Sequence, residues 1–185
     1  MEIVMEKFKH GVGSMKNQAG FTLVETGIVV AIVLLLLAGV VGAPRIIAGM
    51  KANNEIGELK TITTGVQKIY SNDPTFAGAT LTEVISLRGL PDERITSATT
   101  AANRWGGAIT LAPATVNTAN DSILLTTTNV PEYECVNVIP QAESGFIRIA
   151  VNGADVKAAG AALNKTTLGT QCVDGANSIG YYFTK

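Results

Sequence analysis

Hydrophobic side chains are concentrated in one block near the start of the chain. Residues 26–44 contain no charged side chain, although the chain as a whole is mixed in polarity. With its flanks this block forms an apolar run at residues 21–43, which as a helix spans roughly 35 Å and is long enough to cross the hydrocarbon core of a bilayer. Lysines precede the run, and no lysine or arginine follows until Arg45. The pattern predicts an N-terminal membrane-spanning helix joined to a more polar domain.

Beyond Arg45 the hydrophobic positions continue with helical spacing. They recur mostly three or four residues apart with charged side chains between them, which is typical of an amphipathic helix with one buried stripe. The pattern stops at residues 71–74, because the residue before Pro74 avoids helical geometry. We therefore predict one helix from residue 21 to about residue 71, whose six glycines permit close packing or local melting in an assembly. The predicted stripe consists of Ile46, Ile47, Met50, Ile56, Leu59, Ile62, Val66 and Ile69.

The rest of the chain changes to shorter patterns. Residues 81–87 predict a short helix, and residues 131–139 predict another with a proline in its first turn. Residues 152–177 are rich in Gly, Ala, Asn and Thr and are predicted to form loops. The predicted strands are residues 108–111, 122–127, 146–151 and 179–184.

Composition narrows the classes of function. The net charge is −1 and charged residues make up 16% of the chain, so neither a basic field for nucleic acid nor an acidic tail is present. The only histidine, His10, precedes the apolar run, and no serine or threonine has an evident basic partner. We expect no catalytic residues, no metal site, no cofactor and no nucleic-acid partner.

The two cysteines, Cys135 and Cys172, both lie after the apolar run. If that run is a membrane anchor, they are on the exported side, where disulfides form and persist. A disulfide that closes a loop of this length contributes about 4 kcal/mol in the chain-entropy model. The alternative is a pair of reduced, buried cysteines in a cytosolic domain.

Glu25 is an acidic residue close to the start of the apolar run. A carboxylate in such a segment is costly and usually has a partner. A cut after Gly20 would create an amine at Phe21, one helical turn away, and that amine could pair with Glu25 of the same chain or of a neighbouring subunit. The alternative is an isolated glutamate that reaches the membrane interface of an ordinary signal anchor.

The sequence Gly20-Phe21-Thr22-Leu23-Val24-Glu25, followed by an uncharged run, resembles the class III signal of type IV prepilins and pseudopilins. In that family a membrane aspartyl peptidase cuts after the glycine, the new first residue is N-methylated, and the acid at the fifth mature position is required for ordered assembly. The resemblance implies processing at Gly20 and Phe21, N-methylation of Phe21 and a role in assembly for Glu25. It also implies a cytoplasmic leader at residues 1–20, a membrane and filament-core half-helix at 21–44 and a globular head at 45–185.

Further features resemble the type IVb pilins. They are Asn103-Arg104-Trp105-Gly106-Gly107, the cysteine-bearing helix, the final strand that ends in Tyr181-Tyr182-Phe183, and the 20-residue leader. Phe21 as the first mature residue is commoner in type IVa pilins, and translation from Met15 would give a short leader of the type IVa kind. Independently of the resemblance, we expect Trp105 to anchor the core with its indole N–H on a backbone acceptor.

The resemblance implies an α+β pilin fold, in which a long N-terminal helix packs on a small antiparallel sheet whose end is fastened by the disulfide Cys135–Cys172. The implied function is that of a structural subunit that polymerises with copies of itself into a type IV pilus. Implied partners are the prepilin peptidase and N-methyltransferase, the inner-membrane assembly machinery and, before assembly, the bilayer of a Gram-negative bacterium. The alternatives are a pseudopilin of a type II secretion system and a signal-anchored periplasmic binding protein or enzyme.

Overall fold

The computed structural model describes residues 22–185, and for residues 39–48 it describes the backbone alone. The predicted leader at residues 1–20, the cleavage residue Gly20 and the methylation residue Phe21 therefore lie outside the described residues. Contacts divide the chain into two units, Met1–Gly42 and Ala43–Lys185, of which the second is the compact head.

One helix, α1, runs from Leu23 to Ile69 and belongs to both units. The single helix predicted for residues 21–71 is thus present with slightly shorter bounds. It ends where the amide of Tyr70 still donates to the carbonyl of Val66, after which the chain turns through residues 70–73. In the described part of the chain, no helix combines the length and the apolar character needed to cross a membrane.

The head contains one six-stranded antiparallel sheet with the order β1-β2-β3-β6-β4-β5. Its last strand in the sequence, β6, lies between β3 and β4, so the C-terminal strand occupies the middle of the sheet. Three shorter helices and two single 3₁₀ turns, Asp92–Arg94 and Glu143–Gly145, connect the strands. The bounds are β1 Ala101–Ala102, β2 Ala108–Ala114, β3 Ser122–Val130, β4 Arg148–Val151, β5 Ala154–Lys157, β6 Asn177–Phe183, α2 Leu81–Ser86, α3 Glu132–Ala142 and α4 Lys165–Gln171.

The buried stripe of α1 packs with the inner face of this sheet in a single hydrophobic core. Strand β6 alternates buried and half-buried residues along its whole length, so every second side chain faces the core. Ile56, Leu59, Ile62 and Val66 are buried as predicted, whereas Met50 is exposed. Met50 was wrongly placed on the stripe, because the first buried position among the described side chains of α1 is Ala52, two residues farther on. Ile46 and Ile47 lie among the residues whose side chains are not described.

Gly65 shows why one of the helical glycines is needed. A side-chain carbon at this position would overlap the backbone of Gly89, in the turn after α2. The missing side chain lets α1 and that turn approach backbone to backbone. This close contact is inside the head, so the prediction that the glycines permit close packing or local melting in an assembly stays a prediction.

The prediction that residues 152–177 form only loops is wrong, since they contain β5 and α4. Asn152 and Gly153 both have positive φ, at 50° and 87°, which is the backbone of a tight type I′ hairpin between β4 and β5. The Asn164 side chain accepts a hydrogen bond from the amide of Thr167 at 3.0 Å and so caps α4. The sequence prediction contains neither the hairpin nor the helix cap, and the two-residue strand β1 is absent from it as well.

Candidate assembly surfaces

The first turn of α1 is capped by Thr22, the residue before the helix starts. Its hydroxyl accepts a hydrogen bond from the backbone N–H of Glu25 at 3.3 Å, and its carbonyl accepts one from the N–H of Thr26 at 3.1 Å. Thr22 and Glu25 thus stand at the N-cap and N3 positions, the spacing of a capping box. Between residues 22 and 185, the Glu25 carboxylate forms no ion pair.

The residues that follow form an exposed apolar surface. Every side chain from residue 22 to residue 38 is exposed, including Leu23, which is 91% accessible, and Leu35, which is 73% accessible. Removing apolar surface from water yields about 25 cal/mol per Å². A helix that is apolar on all sides is stable only when another apolar phase surrounds it.

A cluster of four charged side chains joins α1 to the segment before β2. Arg94 donates to Glu58 twice, from Nε at 2.7 Å and from Nη2 at 3.0 Å. Arg104 also donates from Nη2 to Glu58, and its Nε donates to Glu55 at 3.2 Å. We call residues 94–104 the strap, because an arginine at each end ties this segment to α1.

The negative charges of the two carboxylates are compensated unequally by hydrogen-bond donors. Glu58 accepts three N–H groups, whereas Glu55 accepts one and has the less exposed side chain, 5% against 17%. Burial, followed by the nearby charge of Glu58, raises the pKa of Glu55 in spite of Arg104. The hydrogen bond to Glu58 in turn raises the pKa of Arg94.

The turn that follows the strap is organised by Asn103. Its side-chain oxygen accepts the backbone N–H groups of Trp105 and Gly107, and its amide donates to the carbonyl of Thr128 at 2.7 Å. A side chain on Gly107 would collide with the backbone of Thr128. This part of the Asn103–Gly107 motif therefore has a structural role, which is to dock the turn onto β3.

Trp105 packs against the hydrophobic core as predicted, but the prediction for its indole is wrong. The Nε1 atom is buried and has no hydrogen-bond partner among the described residues. The backbone carbonyl of Trp105 is instead the group that is bonded, by the side chain of Asn129 at 2.8 Å.

Cys135 on α3 and Cys172 at the end of α4 form a disulfide, with Cα atoms 5.8 Å apart. Both cysteines are buried in the core. The adjoining surface carries three exposed apolar side chains, Tyr133, Val136 and Val173. The disulfide fastens the segment after β3 to the segment before β6.

The cavities of the head carry no catalytic arrangement within the described residues. One of about 200 Å³ lies between α1 and the α3–β4 connection and is lined by Ile56, Leu59 and Phe146, with Lys60 as its one titratable side chain. No group of three His, Cys, Asp or Glu side chains that could hold a metal ion occurs in the part of the chain that the structure describes.

Two family models match the chain, and between them they cover most of it. The model described as PilS N terminal matches residues 50–183, and the prokaryotic N-terminal methylation motif matches residues 15–41. The first match spans most of the head, and the second contains Gly20, Phe21 and Glu25. The chain belongs to the PilS family of type IV pilins.

Relatives with curated names agree with this assignment. The pilin is 25% identical over 184 residues to the major structural subunit of bundle-forming pilus from Escherichia coli O111:H-, and equally so to that from Escherichia coli O127:H6. Each alignment covers 90% of this chain and 95% of the relative. The likeness therefore extends over nearly the full length of both proteins.

Solved structures give the same fold. The type IVb pilin from Salmonella typhi matches with a TM-score of 0.59 at 20% identity, covering 72% of this chain and 99% of that one. TcpA, a type IV pilin from Vibrio cholerae El Tor, matches with a TM-score of 0.57 at 12% identity, covering 73% and 99%. The predicted α+β pilin fold is confirmed, and it is the fold of the type IVb class.

The pilin is a structural subunit of a type IV pilus, as the sequence predicted. Family and motif support polymerisation with pilin subunits, processing by a prepilin peptidase, and a filament outside the cell that is preceded by an inner-membrane stage. Of the predicted site residues, the structure places Glu25 in the first turn of α1 and joins the two cysteines. It adds the cluster around Glu58, for which the signal was two carboxylates three residues apart on one helix.

Proposed function

We propose that the chain is made as a precursor, cut after Gly20, N-methylated at Phe21 and polymerised as a homopolymer into the pilus. The observation that carries this proposal is the match of the N-terminal methylation motif to residues 15–41, which spans the residues to be cut and modified. The helix cap supports it as well, because α1 begins only two residues after Phe21.

The proposed assembly surface is the apolar half of α1. Its side chains from residue 22 to residue 38 are all exposed in the single chain, so they have no apolar partner in their own subunit. Lipid would surround them before assembly, when the N-terminus faces the cytoplasm. The same half-helices of neighbouring subunits would surround them afterwards, which makes residues 21–44 the filament core.

Glu25 is proposed to pair with the α-amine of Phe21. In an α-helix these two positions are one turn apart, and the carboxylate forms no ion pair within the described residues. Pairing with the amine of a neighbouring subunit would fix the position of one subunit relative to the next, because a carboxylate in an apolar filament core is costly without a partner.

The proposed role is structural and not catalytic. The only histidine, His10, lies in the leader and would be removed by the cut. The proposed partners are a prepilin peptidase with N-methyltransferase activity and the inner-membrane machinery that assembles the pilus. The proposed locations are the inner membrane of a Gram-negative cell and then the pilus on its surface.

Sequencing of the mature N-terminus tests the processing step. We expect the mature protein to begin with methylated Phe21, and Gly20→Glu to leave the full precursor in the membrane. Gly20→Ala is the graded control, with slowed processing. A wild-type protein that keeps its leader in cells with an active peptidase, or normal processing of Gly20→Glu, would contradict the proposal.

Electron microscopy of sheared cell fractions tests the assembly step separately. We expect Glu25→Ala to be processed normally and to form no filaments. Glu132→Ala, which removes an exposed carboxylate of the head, should assemble normally. Abundant pili made of the Glu25→Ala protein would exclude the proposed role of this residue.

A further inference from the structure

The strap covers part of a sheet edge. It contains β1, whose two residues pair with Ala108 and Ile109 of β2, while the rest of β2 has no neighbouring strand on that side among the residues that the structure describes. Ile95 extends this pairing by a single bridge to Ala101. When the strap lifts away, backbone groups of β2 lose their partners, and an unpaired strand edge is a site for pairing with another chain.

The ends of the strap are held by charged groups, and Glu55 is the member of the cluster that is compensated least. Arg94 is committed to Glu58 through both of its contacts, and Arg104 divides its contacts between the two carboxylates. An ionised Glu55 therefore sits almost fully buried, one helical turn from a second carboxylate, with one hydrogen bond at 3.2 Å. Protonation of such a group removes an unfavourable buried charge.

The other titratable groups that face Glu55 do not change this balance. On α1 the neighbour is Glu58, on the strap the neighbours are Arg94 and Arg104, and from β6 the fully buried Tyr181 faces it. Burial, and next the charge of Glu55, raises the pKa of Tyr181, so that phenol stays neutral. Glu93, which is exposed, acts on Arg94 only as a weak additional charge.

We propose that protonation of Glu55 stabilises the closed strap, and that loss of this proton favours the open strap. A protonated Glu55 still accepts the hydrogen bond from Arg104, and both arginines keep their hydrogen bonds to Glu58. Opening the strap returns Glu55 to water, where its charge is stabilised. Neutral pH thus favours the open strap, and mildly acidic pH favours the closed one.

The direction of the pH effect follows from linkage. The pKa of Glu55 is raised in the closed state, so the closed state binds more protons than the open state at pH values above the ordinary range of a glutamate. Stability of the closed strap is therefore greatest at the acidic end of this window and is lost as pH rises through the raised pKa. A strap held only by ion pairs would behave in the opposite way, since acid would neutralise its carboxylates.

Hydrogen exchange on the full chain in detergent tests the proposal. The reporter is the amide of Asn103, which donates to the carbonyl of Gly107 at 2.8 Å and belongs to a buried residue. Exchange rates at pH 5 and pH 8 are divided by the intrinsic rate at each pH, which gives the opening constant of the strap. We expect the opening constant to be larger at pH 8, by roughly tenfold for each unit by which closing raises the pKa of Glu55.

Two variants make the test specific. Glu55→Gln mimics the protonated side chain and should give opening constants that do not differ between the two pH values. Asp155→Asn removes the carboxylate of the exposed Arg148–Asp155 pair and should keep the wild-type pH dependence. A wild-type opening constant that is larger at pH 5, or is the same at both pH values, would overturn the proposal. So would a Glu55→Gln variant with the wild-type pH dependence.

A second measurement does not depend on the folding of any variant. Carbon-13 NMR of the glutamate carboxyl groups in the wild-type chain follows each titration directly. We expect the Glu55 carboxyl to titrate above the ordinary glutamate range. Titration of Glu55 within or below that range would overturn the proposal even if the exchange data agreed with it.

Discussion

Asn177 on β6 bonds both backbone groups of Val173, the residue that follows the disulfide cysteine Cys172. Its side-chain oxygen accepts the N–H of Val173 at 3.0 Å, and its amide donates to the Val173 carbonyl at 2.8 Å. The same amide donates to the carbonyl of Val130 on β3, and the same oxygen accepts from the side chain of Asn152. One buried side chain thus connects the disulfide segment, β3 and the β4–β5 hairpin.

We predict that Asn177→Asp lowers the free energy of unfolding by at least about 3 kcal/mol, because two carbonyls lose their donor and face a carboxylate instead. The measurement is denaturant unfolding of the full chain in detergent at neutral pH, with the disulfide intact. Asn137→Asp on α3 is the control, since Asn137 is only half-buried and, among the described residues, forms its side-chain hydrogen bond within its own helix. A loss no larger than that of the control would show that the network contributes little.

A matched pair of glycines on α1 tests the close contact between α1 and the turn after α2. In a helix, alanine is more favourable than glycine by about 1 kcal/mol. Gly57 has open space around it, so Gly57→Ala should stabilise the head. Gly65→Ala should destabilise it, because its methyl group overlaps the backbone of Gly89. Thermal unfolding of the two variants gives shifts of opposite sign; shifts of the same sign would refute the contact.

Removal of both cysteines tests the energetic role of the disulfide. The chain-entropy model gives about 4 kcal/mol for a loop of this length, so Cys135→Ser with Cys172→Ser should lower the free energy of unfolding by that amount. Reduction of the wild-type chain before unfolding is the control and should give a similar loss. A double variant as stable as the oxidised wild type would contradict the expectation.

Glu58 and Glu55 should differ in their effect on stability although they lie in one cluster. Glu58→Gln leaves Arg94 without its carboxylate partner and Arg104 with Glu55 alone, and loss of one member of a largely buried ion pair costs about 3 kcal/mol or more. Glu55→Gln should cost much less at neutral pH, because it removes a poorly compensated buried charge. Parallel denaturant titrations give the two values, and equal losses would refute the unequal roles.

The long helix α1 and the strand β6 could be predicted from the sequence, because their buried side chains recur with a regular period. The stripe through Leu59, Ile62 and Val66 and the alternation along β6 both repeat over several turns or pairs, so single exceptions such as Met50 do not hide them. The segment at residues 152–177 was not accessible in this way. Its β5 and α4 are short and depend on single asparagines: Asn152 adopts the positive φ of the hairpin turn, and the side chain of Asn164 caps α4. Both effects override a composition typical of loops.

The candidate site divides in the same way. Glu25 and the two cysteines are rare residue types in their surroundings, so the sequence alone drew attention to them. The strap could not be predicted, because Glu58 meets Arg94 and Arg104 only after the chain has turned through α2. Asn177 was missed for a related reason: its four hydrogen bonds join it to three residues in three separate segments, and no local pattern marks a buried amide that connects them.

The cap of α1 gives Glu25 a local role besides the proposed pairing with Phe21. Thr22 accepts the N–H of Glu25, and the N3 position lets a glutamate reach back to the N-cap. Loss of an N-cap hydroxyl costs about 1 kcal/mol, so Thr22→Val should raise the opening of the first turn about fivefold, whereas Thr22→Ser keeps the cap and should not.

Hydrogen exchange at the Glu25 amide measures this opening in the full chain. Equal exchange in Thr22→Val and Thr22→Ser would mean that the hydroxyl does not hold the turn. If the cap does hold it, filament formation should be similar in the wild type and Thr22→Ser and lower in Thr22→Val, because a frayed first turn no longer presents Glu25 in a fixed direction.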